Sequence, residues 1–81
     1  MDTQAEARIY RILSELSAVP VTEIHAGDRL REDLGLDSVG SMELVSMLSE
    51  EFAIDVELEE AVQITDVAGL MTLASRRIVH A

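Results

Sequence analysis

The sequence predicts an all-α protein, a four-helix bundle with a short third helix and a long first loop. Three observations carry this expectation. Apolar residues recur at helical spacing in three separate stretches and over a single turn in a fourth. There is no sustained strand-type alternation, and the chain has only one Tyr and one Phe. Pro20 and Gly35 punctuate the segment between the first two periodic stretches.

The first helix is expected to start at Thr3-Gln4-Ala5-Glu6, which has the form of a capping box. Ala5, Ile9, Ile12, Leu13 and Leu16 form its apolar stripe. It must stop before Pro20, because the residue preceding a proline avoids helical angles. A connection of this length, from about Val19 to Leu36, is unusual in a compact domain and is often functional. Val21, Ile24, Leu30 and Leu34 are expected to pin it into the core, with a short turn between Asp28 and Leu34. The second helix is expected from Ser38 to Ala53, with Asp37 as its N-cap. A short third helix lies near Glu57 to Val62, with Val56, Leu58 and Ala61 facing inward. The fourth begins at Thr65 or Asp66 and runs to about Ile78 on a stripe of Val67, Leu70, Met71, Ala74 and Ile78. Arg76, Arg77 and His80 give its end the sign that suits a helix C-terminus.

With 81 residues the chain is read as a single domain, residues 1–81. It has no Cys, so any working thiol has to come from a cofactor. No apolar run approaches the ~18 residues of a membrane span, and the first residues lack the pattern of a secretory signal, so a cytoplasmic protein without membrane insertion is expected. The net charge of −10 argues against nucleic acid as a partner. Between Glu32 and Ser75 there is no Lys or Arg, a one-sign field suited to steering basic partners.

Ser38 stands out within this field. Directly after the cap Asp37, its hydroxyl sits beside free backbone N–H groups at the positive end of a helix, a favourable place for a phosphate ester. The second helix also has two faces. Ser41, Leu44, Val45, Leu48 and Phe52 fall on one side and read as core. Val39, Met42, Ser46 and Ser49 fall on the other, flanked by Glu43 and Glu50. A small apolar centre with a charged rim is the form of a docking patch. The candidate partner interface is Val39, Met42, Glu43, Glu50 and, near the third helix, Val56.

The run Leu34-Gly35-Leu36-Asp37-Ser38, the helix Met42-Glu43-Leu44-Val45 through Glu50-Glu51-Phe52, and the later Ile64-Thr65-Asp66-Val67 resemble the acyl carrier proteins over nearly the whole chain, in particular the stand-alone members. The resemblance implies that Ser38 bears a 4′-phosphopantetheine arm, placed there from coenzyme A by a phosphopantetheinyl transferase that also reads Asp37. It implies a carrier without catalysis of its own. Acyl groups would ride the arm as thioesters to loading ligases or transferases, synthases and other pathway enzymes, with the carrier itself a monomer. Gly40, Ser46 and Ser49 depart from the acidic face of many fatty-acid carriers, which points to a dedicated polyketide-like or fatty-acid-like pathway. Asp37-Ser38-Val39-Gly40 is also similar to carriers of D-alanine and other aminoacyl groups, so that alternative stays open.

Three other classes fit less well. A hydrolase built on Ser38 and His25 lacks a Gly-x-Ser-x-Gly elbow. A calcium module lacks the alternating Asp/Asn loop with its closing Glu, although Glu57, Glu59 and Glu60 could bind divalent ions weakly. An unmodified interaction domain would leave the Ser38 motif without a use.

Overall fold

The computed structural model describes residues 3–78, with Leu58 given by its backbone alone. Four helices follow one another: α1 (Thr3–Ser17), α2 (Ser38–Phe52), α3 (Leu58–Ala61) and α4 (Val67–Arg77). Among the described residues the only extended pairing is a single bridge between Arg29 and Asp66. The four-helix expectation therefore holds, short third helix and long first loop included.

In α1, Ala5, Ile9, Ile12 and Leu13 are buried at the expected spacing. Thr3 is already helical rather than the cap expected of it, and the residues before it lie outside the described residues. The helix closes before Pro20: Ala18 takes a left-handed φ of 61°, and its N–H donates to the Ser14 carbonyl at 2.8 Å. The core continues through Leu44 and Leu48 of α2 and through Val67, Leu70 and Ala74 of α4. Met71 and Ile78 are partly buried against it. The inward position expected for Leu58 and the role of His80 at the end of α4 lie outside what is described.

The connection between α1 and α2 is ordered by backbone bonds. It opens with a 3₁₀ turn, Val21–Glu23, that the sequence did not announce. Ile24, Leu30 and Leu34 enter the core as expected, and so does Leu36 at 4% exposure. Val21 does not, since it is 45% exposed. The chain is still in its tight turn there and heads inward only where the backbone becomes extended at Ile24. A turn closes over residues 29–36 through Gly35 N–H to the Arg31 carbonyl at 3.1 Å and Leu36 N–H to the Leu30 carbonyl at 2.8 Å. Gly35 makes this turn at φ +70°, where a Cβ would be strained.

The same connection is tied to the start of α4. Leu30 N–H donates to the Thr65 carbonyl, while Val67 and Ala68 N–H donate to the carbonyls of Asp28 and Ala26, all at 2.9 Å. The first N–H groups of a helix have no partner within it; here the loop supplies partners for two of them. Helix α4 replies from its other end. Arg77 donates to the Asp55 carbonyl at 2.8 Å and pairs with Glu60 on α3. Arg8 of α1 holds the end of α2, with Nε 3.0 Å from Glu51 and its guanidinium 4.9 Å from the centre of the Phe52 ring. The Arg8 hydrogen bond keeps the Glu51 carboxyl below its ordinary value, and the Arg29 backbone N–H does the same for Asp33.

Helix α2 ends at Ala53, which adopts the left-handed conformation at φ 53°. Glycine is the usual occupant of that position because an L side chain is strained there. Ala53→Gly should therefore stabilise the protein by about 0.5–1 kcal/mol, and thermal unfolding should show a melting temperature higher by several degrees.

Candidate functional site

Asp37 caps α2 as expected. Its backbone is extended, and its Oδ1 accepts the Gly40 N–H at 2.9 Å. Its carbonyl accepts the Ser41 N–H at 2.8 Å, the first bond of the helix. The N–H groups of Ser38 and Val39 stay unpaired among the described residues, as helix geometry requires. Leu36, buried one residue before the cap, fixes the entry of the chain. Ser38 is the first helical residue and is exposed.

Helix α4 starts in the same way, with Asp66 Oδ1 accepting the Gly69 N–H at 2.7 Å. Both helices thus begin Asp-x-x-Gly. A Cβ at Gly69 would lie 3.0 Å from the cap oxygen, and one at Gly40 would lie 3.3 Å from Leu36 Cδ2. Gly40 has a local structural reason, the tight approach of the capped turn, that the sequence reading did not find.

A groove of about 570 Å³ lies between α2, α3 and the long connection, with Ser38 among its lining residues. Its apolar wall includes Leu36 from the connection, Met42 and Val45 from α2, and Val56 and Ala61 from the α3 segment. Of the residues singled out in the sequence, Asp37, Ser38, Met42 and Val56 meet here. Val39, Glu43 and Glu50 do not line the groove and lie exposed on α2. Val39 and Met42 are 63% and 59% exposed, and Val62, just past α3, is 70% exposed. The sequence reading counted Val62 as the end of the third helix and gave it no role; the helix stops at Ala61, and Val62 lies in the turn after it.

His25 is exposed, with Nδ1 3.8 Å from Asp28, and does not line the groove that holds Ser38. Among the described residues no cluster of three or more His, Cys, Asp or Glu could hold a metal ion. Ser38 is thus an exposed serine at a helix mouth, on the lining of a groove, with no base beside it among the described residues to activate it as a nucleophile.

Comparison with known proteins gives the class. The family described as "Phosphopantetheine attachment site" matches residues 7–74. An acyl carrier protein of Rickettsia bellii is 32% identical over 66 residues, covering 82% of this chain and 77% of that protein. The 5-methylorsellinic acid synthase of Aspergillus terreus is 36% identical over 69 residues, covering 85% of this chain but only 3% of the synthase. The crystal structure of an acyl carrier protein from Thermotoga maritima superposes with a TM-score of 0.77 at 27% identity, covering 91% of this chain and 86% of that one.

The chain belongs to the phosphopantetheine-binding acyl carrier family. It is a carrier and not an enzyme, its prosthetic group is 4′-phosphopantetheine, and it works with synthases and other pathway enzymes. The aminoacyl alternative is not favoured. The residues present fit the arm: an exposed hydroxyl, two unpaired N–H groups and an adjoining groove. Removing the cap with Asp37→Ala should cost about 1 kcal/mol and lower the melting temperature by about 4–8 °C, whereas Ser38→Ala should leave the melt nearly unchanged.

Proposed function

We propose that Ser38 is the residue that bears the arm and that residues 1–81 act as one monomeric carrier domain in the cytoplasm. The observation that carries this reading is the exposed Ser38 directly after a formed Asp37 cap, on the lining of the groove. Ser38 Oγ attacks the phosphorus of coenzyme A that bears pantetheine. The Oγ–P bond forms, the pyrophosphate P–O bond breaks, adenosine 3′,5′-bisphosphate leaves, and the hydroxyl proton passes to a base of the phosphopantetheinyl transferase. The arm supplies the thiol on which acyl groups are held as thioesters, which suits a chain without Cys. The unpaired N–H groups of Ser38 and Val39 stabilise the phosphodiester at the helix mouth. Asp37 keeps that mouth formed and helps present it to the transferase.

Val39 and Met42 supply the apolar centre of a docking surface, which Val56 extends along the α3 side. Glu43 and Glu50 supply charge that steers basic partners. The resemblance to short parts of two fungal synthases, one of them a non-reducing polyketide synthase of Didymella fabae, together with Gly40, Ser46 and Ser49 on α2, supports a dedicated polyketide-like or fatty-acid-like pathway. No described helix is long and apolar enough to cross a membrane.

Incubation with coenzyme A and a broad-specificity transferase should add the mass of one arm to the intact protein and none to Ser38→Ala. A mass gain that survives Ser38→Ala would move the attachment elsewhere. Glu43→Lys should slow loading about two- to fivefold at low ionic strength, with the difference shrinking as salt shortens the Debye length to about 10 Å or less. A rate indifferent to the change would remove steering from the account while leaving the attachment site in place.

A further inference from the structure

Arg31 is the one basic residue among the described residues that line the groove, and Asp37 and Ser38 line it too. The turn over residues 29–36 puts Arg31 there. Leu30 and Leu34 anchor that turn in the core. Leu36 N–H donates to the Leu30 carbonyl at 2.8 Å, and Gly35 N–H to the Arg31 carbonyl at 3.1 Å. These bonds fold the backbone at Arg31 back against the residues that lead into the Asp37 cap.

The guanidinium of Arg31 has no ion pair among the described residues. The acids of the same turn are held by its neighbour: Arg29 Nε lies 3.7 Å from Glu32 and 3.5 Å from Asp33. Asp33 also accepts the Arg29 N–H at 2.7 Å. Arg8 and Arg77 are paired with Glu51 and Glu60. Arg11 and Arg76 have no ion pair either, but neither lines the groove. Arg31 alone combines an open cation with a place on the lining that holds Ser38.

A phosphodiester on Ser38 adds an anion directly after the Asp37 carboxylate, in a chain whose net charge is already −10. Like charges that close oppose one another. The N–H groups at the helix mouth offset this only in part, since a helix end carries about half an elementary charge. Between Glu32 and Ser75 the chain has no Lys or Arg to add. Arg31, one residue before that stretch, is the cation that the turn brings to the site. Its planar fork matches two phosphate oxygens at once and stays charged at any working pH.

We propose that Arg31 grips the phosphodiester of the arm and so restrains the arm at its root. The inference rests on Ser38 as the attachment point. The test compares the protein with and without the arm, for the unaltered chain and for Arg31→Gln, Arg31→Lys and Arg11→Gln. It reads the ³¹P NMR signal of the phosphodiester, the Arg31 Nε–H signal and the melting temperature. Attaching the arm should shift the Arg31 Nε–H signal, and Arg31→Gln should shift the ³¹P signal. The change in melting temperature on attachment should be more favourable in the unaltered chain than in Arg31→Gln by about 2–4 °C, the size expected of one exposed charge pair in a domain of this length. Taking the difference between the two forms removes whatever Arg31 does for the fold without the arm. Arg31→Lys keeps the charge without the fork and should recover part of the difference. Arg11→Gln removes the same charge away from the groove and should leave the ³¹P signal in place. An Arg31 signal unmoved by the arm, a ³¹P signal unmoved by Arg31→Gln, no recovery with Lys, or an equal effect from Arg11→Gln would overturn the proposal. Intact mass, taken first, separates the two failures. A protein that takes no arm at Ser38 overturns the attachment and this inference together. An arm-bearing protein that ignores Arg31 overturns the inference alone.

Discussion

The backbone bonds between the long connection and the start of α4 hold the functional end of this domain in place. Ala26 and Asp28 accept the N–H groups of Ala68 and Val67, and Thr65 accepts that of Leu30. These contacts do for the connection what a β-ladder does for a strand: they pair polar backbone groups while bringing distant segments together. They set where Leu30, Leu34 and Leu36 can enter the core, and Leu36 sets where Asp37 begins α2. The position of Ser38 is therefore decided by hydrogen bonds made far along the chain as much as by its own helix.

The site combines two economies. The first is charge: the stretch from Glu32 to Ser75 carries no base, so the acidic residues of α2 act outward with no cation in that segment to oppose them. Two of the six arginines tie helices together, Arg8 at the end of α2 and Arg77 at α3. The second is exposure. Val39, Met42 and Val62 stay in solvent around the groove, while the core proper is aliphatic and holds no fully buried polar or charged side chain among the described residues.

What could be read from the sequence was what local physics dictates. The stripes of α1 and α4 and the buried Leu44 and Leu48 of α2 follow from helical periodicity, and the cap at Asp37 from residue type. Thr65 and Asp66 were both plausible starts for α4, and the side chain of Asp66 decided between them. The connection was less legible because its conformation depends on non-local bonds. Val21 looked like a core residue by type and is exposed, while the burial of Leu36 went unnoticed. The groove itself could not be drawn from the sequence, since its walls come from three segments. Val62 and the paired Asp-x-x-Gly starts became visible only with the geometry.

Helix α3 is four residues long, far too short to persist by its own backbone bonds. Its place is fixed by the packing of Ala61 and by the reach of Arg77 to Asp55 and Glu60, a contact whose side chains are about one-third exposed. The outer bank of the groove is thus moored by a screened electrostatic tether. Salt that screens the exposed charges also weakens that tether, so the room inside the groove depends on the ionic strength of the medium.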